Sequence, residues 1–358
     1  MATIFFTGFP GFLGAELLPR ILARRDGATA TCLVQPRFAP LARARVDALG
    51  PALAARVELV EGDLTRPGLG LAEHDRIARE TAEIFHLAAL YDLAVSREAG
   101  MAVNLGGTRR VLEFAARCPR LERFQYVSTC YVSGRHQGRF LESDLERGQR
   151  FNNFYEETKF LAEVEVRARL AAGLPATIYR PAITVGDSVT GATQKYDGPY
   201  FVMRWLLRQP GLALLPTVGD LSAEVNLVPR DFVVRAIEEL SGRPGSAAKT
   251  YHLADPHPPT AAALIDLLGE ATGRTVLRVR LPLGVAKGAL RHVPGLQRLM
   301  QIPPEAIDYF VQPTRYDTAN GIADLAGTGV ACPPLASYLP ALVAFVRAHP
   351  EIGSAAMA

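Results

Sequence analysis

A tyrosine and a lysine four positions apart, Tyr155 and Lys159, have side chains suited to proton transfer at a carbonyl group. On a helix this spacing places both side chains on one face. A phenol has a pKa of about 10 and is a poor acid or base near neutral pH, but an ammonium one turn away stabilises the phenolate and lowers that pKa. The same lysine can hold the ribose hydroxyls of a bound nucleotide. The pair therefore predicts an acid–base centre, and a surface Tyr–Lys pair is the alternative.

Hydroxyl side chains end a predicted strand one βα unit before Tyr155, in the segment Tyr126–Gly134. Either Ser128 or Thr129 could hydrogen-bond a substrate carbonyl. We favour Thr129, which lies five residues before Gly134, with Ser128 in support. The alternative is that these hydroxyls only cap the strand backbone.

A glycine-rich turn follows the first predicted strand, Ala2–Phe6. Its G-x-x-G-x-x-G pattern permits a tight turn, a close approach of the backbone to a pyrophosphate, and close packing of the next helix. The amide groups at the start of that helix favour negative charge. The alternative is a tight turn without a ligand. We expect this turn to bind a dinucleotide through Thr7, Gly8, Phe9, Gly11, Phe12, Leu13 and Gly14.

The end of the second predicted strand, Thr29–Val34, bears on which nicotinamide cofactor is used. An acidic residue there would hydrogen-bond the ribose 2′-hydroxyl of NAD. The segment carries no carboxylate, and the cations Arg37, Arg43 and Arg45 follow it. We therefore predict NADP(H), with Arg37 near the 2′-phosphate. The alternative is that these arginines form a solvated helix face.

Two further strand ends predict contacts with the nucleotide. Asp63 and Leu64 follow the third strand, where a carboxylate suits the adenine amino group, although a simple turn aspartate fits equally well. Ala88 and Ala89 follow the fourth strand, where small residues let the backbone pass close to a ribose. We expect His86 to be packed or hydrogen-bonded rather than catalytic.

These motifs lie in a regular alternation of short apolar strands and amphipathic helices. Such alternation predicts an α/β fold, a Rossmann-type doubly wound parallel sheet with right-handed crossovers. The expected strands are Ala2–Phe6, Thr29–Val34, Arg56–Val60, Glu83–Leu87, Arg123–Ser128, Ala176–Tyr179 and Thr250–Leu253.

Beyond Pro181 the alternation loosens, because Pro and Gly cluster there. We expect an NADP-binding domain at 1–186, to which 223–256 returns with a strand–helix pair at Ala223–Leu240. A smaller, discontinuous, mostly helical substrate-binding lobe is expected at 187–222 and 257–358.

The bulk composition favours a globular protein of the reducing cytoplasm. The 358 residues are 49% hydrophobic and 21% charged, and the net charge of +3 is too small to indicate nucleic-acid binding. The four cysteines lie far apart and form no C-x-x-C pair, so we expect no metal site and no disulfide framework. There is no basic leader and no apolar run near the ~20 residues of a membrane span, so we expect cytoplasmic localisation.

Taken together, these motifs and Arg180-Pro181 resemble the extended short-chain dehydrogenase/reductase superfamily. Within it, five segments resemble the branch of fatty acyl-CoA reductases and thioester-reducing domains: TGFPGFLG (7–14), HLAALYD (86–92), VSTCYVSG (127–134), NNFYEETKFLAE (152–163) and YRPAITVGDSVTG (179–191). The resemblance covers residues 1–190 best, is weaker over 223–256, and includes Arg315–Pro334.

This resemblance implies a catalytic triad of Thr129, Tyr155 and Lys159. It also implies that the loop after Arg180 contacts the nicotinamide amide, through Pro181 and Ile183. The implied activity is NADPH-dependent reduction of a hydrophobic acyl thioester or lipid-like carbonyl, with Tyr155 protonating the carbonyl oxygen. The chain departs from the branch at Gln35, where an arginine is usual, which weakens the case for NADPH.

The expected partner is a hydrophobic small molecule or an acyl group on CoA or a carrier. The adenylation and carrier domains of large synthases are not in this sequence, so a thioester would arrive on free CoA or on a separate carrier. The basic amphipathic stretch Leu281–Met300 suits a pocket lid or a peripheral membrane contact, with an ordinary core-facing helix pair as the alternative. The oligomeric state stays open, and a homodimer is compatible with the sequence.

Three other functions remain compatible with these motifs. An alcohol or hydroxysteroid-type dehydrogenase would use the same triad in the oxidative direction. A sugar-nucleotide epimerase or dehydratase shares the scaffold but needs a polar, cationic second lobe, against which the apolar character of 281–300 argues. A non-catalytic NADPH-binding regulator is disfavoured by the intact triad.

Overall fold

The fold is built from strands and helices that alternate along the chain. A computed structural model describes residues 3–92, 95–282, 284–285 and 313–353. The strands in these ranges are β1 (Thr3–Thr7), β2 (Thr29–Val34), β3 (Val57–Glu61), β4 (Thr81–His86), β5 (Arg123–Val127), β6 (Gly138–Phe140), β7 (Ala176–Pro181), β8 (Ile183–Val185), β9 (Leu212–Val218), β10 (Leu227–Pro229), β11 (Thr250–Leu253), β12 (Thr275–Leu281) and β13 (Thr314–Tyr316).

The helices pack around these strands. They are α1 (Gly14–Arg24), α2 (Ala39–Asp47), α3 (Pro51–Ala54), α4 (His74–Glu80), α5 (Arg97–Gly100), α6 (Gly107–Ala115), α7 (Phe154–Ala171), α8 (Pro199–Leu207), α9 (Arg230–Ser241), α10 (Ala261–Thr272), α11 (Ala319–Leu325) and α12 (Leu335–Ala348). A π-helical turn, Met101–Gly106, joins α5 to α6.

The central sheet has seven parallel strands in the order β11-β7-β5-β4-β1-β2-β3. The chain runs outward from β1 to β3 and then returns to β4 on the other side of β1. This reversal opens a crevice at the carboxyl ends of β1 and β4, which is where open α/β sheets bind their ligands. The predicted Rossmann-type fold is confirmed, and β2 and β11 have the predicted bounds.

Both faces of the sheet are covered by helices, because the central strands are apolar on both sides. On one face, α1 contributes the buried stripe Leu17, Leu18 and Ile21, which packs with α2 and α9. On the other face, α4, α6 and α7 bury a second layer that includes Ile77 and Val111. Each such buried aliphatic side chain contributes about 1.5–3 kcal/mol, so the sheet that positions the site is rigid.

The segment after β7 differs from the sequence expectation. Pro181 at the end of β7 has no N–H to extend the ladder. The short β8 that follows pairs with β10 outside the main sheet, so the predicted strand near residue 227 does not join the seven-stranded sheet. Helix α9 does return, packing against α1 and β7.

A second hydrophobic core lies away from the sheet. It joins α8, α10 and α12 and includes Tyr196, Leu264 and Leu339, beside the parallel pair β9–β12. The division into lobes at 187–222 and 257–358 stays a prediction, and this core also includes Val185, Val225 and Leu227 from outside those bounds. Most of the amphipathic stretch Leu281–Met300 lies outside the described residues.

Candidate active site

The glycine turn after β1 meets the loop after β4. A Cβ on Gly8 would lie 2.8 Å from the backbone nitrogen of Ala88, and Gly8 has a φ of +94°, so only glycine fits there without strain. A Cβ on Gly11 would lie 2.8 Å from the Gly8 carbonyl oxygen, which already accepts the Gly11 N–H at 2.9 Å. The turn therefore presents bare backbone at the start of α1.

A buried hydrogen-bond chain fixes these two loops. Thr7 Oγ1 accepts the Ala88 N–H at 3.2 Å and lies 2.8 Å from His86 Nδ1. The other ring nitrogen of His86 lies 3.0 Å from Thr108 Oγ1. Burial, followed by the nearby Lys159 charge, lowers the pKa of His86 to about 3. His86 is thus a neutral packing residue in this structure.

The cavity wall formed by the ends of β2 and β3 is polar, with Gln35 next to both Arg37 and Asp63. Arg37 Nε donates to Gln35 Oε1 at 3.0 Å, and the Gln35 side chain lies near enough to Asp63 to help lower the pKa of that carboxyl group. Partial burial raises the pKa of Asp63, but hydrogen bonds from the N–H and hydroxyl of Thr65, both at 2.7 Å, bring the net pKa below its usual value. Sequence reasoning gave Gln35 no part in the site, although its neighbours were predicted.

The three arginines that follow the second strand have different surroundings in the structure. Arg37 lies on the cavity wall. Arg43 and Arg45 lie on α2 with exposed side chains.

The first turn of α7 positions Tyr155. Asn153 caps the helix, its Oδ1 accepting the Glu156 N–H at 3.0 Å. Tyr155 is buried, and the Thr129 side chain lies near enough to affect its pKa. Thr129 Oγ1 donates to the Pro181 carbonyl oxygen at 3.5 Å and accepts the Tyr131 N–H at 3.3 Å. The end of β5 and the start of α7 therefore bring Thr129 and Tyr155 together.

Lys159 lies one turn further along α7 and is also buried. Its Nζ donates to the Val127 carbonyl at 2.9 Å and to the Tyr126 hydroxyl at 3.1 Å. Burial lowers the pKa of Lys159 to about 8, while the negative charge of Glu163 acts in the opposite direction.

The pKa of Tyr155 departs from the sequence expectation. Burial raises it well above 10, and the nearby Thr129 side chain only partly offsets that rise. The expected lowering by Lys159 is not found, because desolvation dominates and the ammonium is directed at Val127 and Tyr126. Tyr155 is therefore a protonated phenol at neutral pH.

Ser128 has different surroundings from Thr129. Its Oγ donates to Glu163 Oε2 at 2.6 Å. Glu163 in turn forms an ion pair with Arg180 at 2.6 Å, and both side chains are fully buried. The Ser128 hydroxyl thus belongs to a buried polar network behind the site.

A continuous cavity of about 580 Å³ joins the glycine turn to Tyr155. All the predicted site residues line it: Thr7, Gly8, Phe9, Gly11, Phe12, Leu13, Gly14, Arg37, Asp63, Leu64, Ala88, Ala89, Ser128, Thr129, Tyr155, Lys159, Pro181 and Ile183.

Other residues on the cavity wall were missed by sequence reasoning. Tyr91 lies in the HLAALYD segment, which was a signal for its place near the cofactor loop. Lys195 and Asp197 precede α8 and reach the cavity only in the folded chain, so no local pattern could find them.

The cavity fits a nicotinamide dinucleotide. Its glycine turn leaves no room for a Cβ, as a backbone cradle for a pyrophosphate requires. Arg37 and Asp63 supply a cation and a hydrogen-bond acceptor at one end, and Lys159 supplies an ammonium near the other. This donor set matches phosphate, adenine and ribose groups.

The structure also bears on the state of the cysteines, on metal binding and on membrane-spanning helices. Cys32, Cys118, Cys130 and Cys332 are all free thiols. Across the described residues, no cluster of His, Cys, Asp or Glu side chains is arranged to hold a metal ion. None of the helices in the described ranges is both long and apolar enough to cross a bilayer.

Comparison with known proteins agrees with this geometry. Residues 6–237 match the NAD-binding family model described as male sterility protein. The chain is 30% identical over 276 residues to the glycine betaine reductase ATRR of Emericella nidulans, a match covering 72% of this chain and 21% of that protein. It is 25% identical over 277 residues to the fatty acyl-CoA reductase wat of Drosophila melanogaster, covering 65% of this chain and 53% of that protein.

A solved structure extends the likeness over nearly the whole chain. The crystal structure of the terminal R domain from the myxalamid PKS-NRPS biosynthetic pathway superposes with a TM-score of 0.82 at 30% identity, covering 98% of this chain and 91% of that one.

Fold and site together define an oxidoreductase of the extended short-chain dehydrogenase/reductase class, built to bind a nicotinamide dinucleotide. Within that class, the chain belongs to the male sterility protein family. The predicted resemblance to fatty acyl-CoA reductases and thioester-reducing domains is confirmed.

Proposed function

We propose that this chain is an NADPH-dependent reductase of a hydrophobic acyl thioester or lipid-like carbonyl compound, with Tyr155 as the general acid. The observation that carries the proposal is that Thr129 and the protonated Tyr155 line the same cavity, which extends from the glycine turn. A carbonyl oxygen placed between these hydroxyls would have one group to orient it and one to protonate it.

Different residues on the cavity wall would hold different parts of the cofactor. Gly8, Gly11 and Gly14 would hold the pyrophosphate, and Asp63 the adenine. Lys159, with a pKa near 8, is mostly charged at pH 7 and would hold the ribose hydroxyls. The bound cofactor supplies the hydride.

Reduction requires a proton at the carbonyl oxygen as the carbonyl carbon gains hydride. Tyr155 can donate that proton because burial keeps it on the phenol. For a thioester, this two-electron step gives a hemithioacetal, which loses the thiol to give an aldehyde. The dehydrogenase alternative would use the same residues in the reverse direction, with Tyr155 as the base.

The choice of NADPH rests on Arg37, which is a cation on the cavity wall beside Gln35. Calorimetric titration should show tighter binding of NADPH than of NADH. Arg37→Ala should narrow the difference, whereas Arg43→Ala, on the exposed face of α2, serves as the matched control. Equal affinities for both nucleotides in the native protein would contradict this part of the proposal.

The substrate class is tested by NADPH oxidation with acyl-CoAs, aldehydes and ketones of increasing chain length. Each buried methylene is worth about 0.8 kcal/mol, so kcat/KM should rise steeply with length until the cavity is full. Tyr155→Phe should lower turnover by roughly 10²–10⁴-fold while cofactor binding survives. Turnover of UDP-sugars without net NADPH consumption would replace this proposal with the epimerase alternative.

The chain spans about a quarter or less of the length of several curated relatives, so the partners of those whole proteins are not assigned to this chain. We propose that the acyl group arrives on CoA or on a carrier. Cytoplasmic localisation, a peripheral membrane contact through 281–300 and a homodimer also stay proposals. Cell fractionation tests the localisation, vesicle sedimentation tests the membrane contact, and the mass in solution tests the homodimer.

A further inference from the structure

A short segment between β8 and α8 places two charged side chains in the cavity. Tyr196 anchors this segment: its side chain is fully buried, its hydroxyl donates to the His349 carbonyl at 2.9 Å, and its N–H donates to the Gly353 carbonyl at 2.9 Å. Its two neighbours, Lys195 and Asp197, line the cavity wall. The carbonyl groups of His349 and Gly353 thus fix the backbone that carries Lys195 and Asp197.

These two side chains form an ion pair beside the proposed general acid. Lys195 Nζ lies 2.8 Å from Asp197 Oδ2 and 4.0 Å from the centre of the Tyr91 ring. The Tyr91 ring meets the Tyr155 ring edge-on, with centroids 5.0 Å apart. The pair is therefore separated from Tyr155 by a single aromatic ring.

Stability alone gives a poor account of this pair. The Lys195 and Asp197 side chains are only 21% and 16% exposed, and a pair withdrawn this far from water gains little over apolar replacements. The choice of lysine is also unusual for this chain, because only four of its 39 basic residues are lysines, and two of these line the cavity. A compact ammonium with three donors differs from the planar arginine fork used elsewhere.

We propose that Lys195 and Asp197 recognise the first amide group of a pantetheine arm, and so select thioesters of pantetheine over other carbonyl compounds. The inference rests on the proposed thioester reduction and deepens it. An amide offers one acceptor and one donor, which match the ammonium of Lys195 and the carboxylate of Asp197. The pair has no net charge, so it suits a dipolar amide better than an ion.

The position of the pair agrees with the chemistry of the substrate. In a pantetheine thioester the amide nitrogen is three bonds from the sulfur, so it lies close to the reacting carbonyl. With that carbonyl at Thr129 and Tyr155, an arm running past the Tyr91 ring brings its amide to Lys195. CoA and a carrier protein present the same arm.

The test compares two octanoyl thioesters that differ in the amide alone. The N-acetylcysteamine thioester contains it, and the pentane-1-thiol thioester has two methylenes in its place. Lys195→Met should lower the ratio of their kcat/KM values by roughly 10- to 100-fold, the range for a hydrogen bond to a charged group. Asp197→Asn should lower the ratio less, because it keeps an acceptor. Lys249→Met is the matched control, since Lys249 forms a surface pair with Asp324 at 2.6 Å.

The outcomes separate this inference from the proposed function. An unchanged ratio, or equal losses with both thioesters and with octanal, would overturn amide recognition and leave the reductase proposal standing. Reduction of octanal but of neither thioester by the native protein would remove thioester reduction itself, and the inference with it.

Two further measurements complete the test. Octanoyl-CoA and octanoyl on a stand-alone acyl carrier protein are assayed in parallel, and the one with the higher kcat/KM is the source of the arm. The unreactive thioether S-octyl-N-acetylcysteamine should inhibit octanal reduction, with a higher inhibition constant in Lys195→Met. Equal inhibition constants in the native and Lys195→Met proteins would contradict the inference without reference to thioester turnover.

Discussion

The Ser128 hydroxyl donates a 2.6 Å hydrogen bond to Glu163, the residue one helical turn beyond Lys159 on α7. The adjacent Thr129 instead donates to the Pro181 carbonyl oxygen at 3.5 Å and lines the cavity together with Tyr155. Both residues line the cavity, but their hydroxyls have different partners, a buried carboxylate for Ser128 and a backbone carbonyl for Thr129.

Substitutions should separate these two hydroxyls. Thr129→Val keeps the shape and removes the donor, so kcat/KM should fall roughly 10²–10³-fold, as for loss of an oxyanion donor, with stability little changed. Ser128→Ala leaves buried Glu163 short of one hydrogen bond, so the free energy of unfolding should fall by about 1–3 kcal/mol. NADPH oxidation measures kcat/KM and urea denaturation measures stability. A larger loss of kcat/KM in Ser128→Ala than in Thr129→Val would assign the catalytic role to Ser128 instead.

NADPH affinity should depend on pH through Lys159. Burial lowers the pKa of this lysine from about 10.5 to about 8, so its charge is complete below pH 7 and is lost as the pH rises through 8. The dissociation constant measured by calorimetry should therefore increase above pH 8. Lys159→Met should bind more weakly at pH 7 and show no such rise, and a parallel rise in that variant would assign the pH dependence to another group.

Alanine at two glycines should have unequal effects. Both have positive φ, +94° at Gly8 and +72° at Gly27, but a Cβ at Gly27 would meet no atom within 4 Å. Gly27→Ala should cost about 1 kcal/mol of stability from the backbone conformation alone. Gly8→Ala must also displace the Ala88 backbone, so it should lower NADPH affinity more than tenfold. Equal nucleotide affinities in the two variants would show that the turn does not carry the pyrophosphate.

The buried ion pair of Arg180 and Glu163 should be sensitive to loss of one partner. Both side chains are fully buried, so Arg180→Met removes the nearest cation from the Glu163 carboxylate and leaves it with Arg167 Nε at 3.2 Å. The free energy of unfolding should fall by about 3 kcal/mol, the lower end of the range for breaking a buried pair. Arg97, which pairs with Glu157 at the surface, is the control, and Arg97→Met should cost less than about 1 kcal/mol. Similar urea midpoints for both variants would show that water or a rearranged partner compensates the buried charge.

The sequence alone determined the features that depend on local pattern. The apolar strand β1, the glycine turn and the amphipathic stripe of α1 are encoded by residues close together in the chain, and the structure has them where the pattern predicts. The i, i+4 spacing of Tyr155 and Lys159 required only that this segment be helical. Alternating strands and helices then specified the parallel sheet, because few other arrangements bury such elements.

Tertiary structure decided what depends on burial and on distant neighbours. Desolvation reversed the expected shift of the Tyr155 pKa, and Glu163 captured the Ser128 hydroxyl from 35 residues away. The strand β10 paired with β8 rather than with the main sheet, and Lys195 and Asp197 came to line the cavity only in the folded chain. Local sequence cannot specify these features, because the dielectric environment and the partners of a side chain are set by segments that meet only in the folded chain.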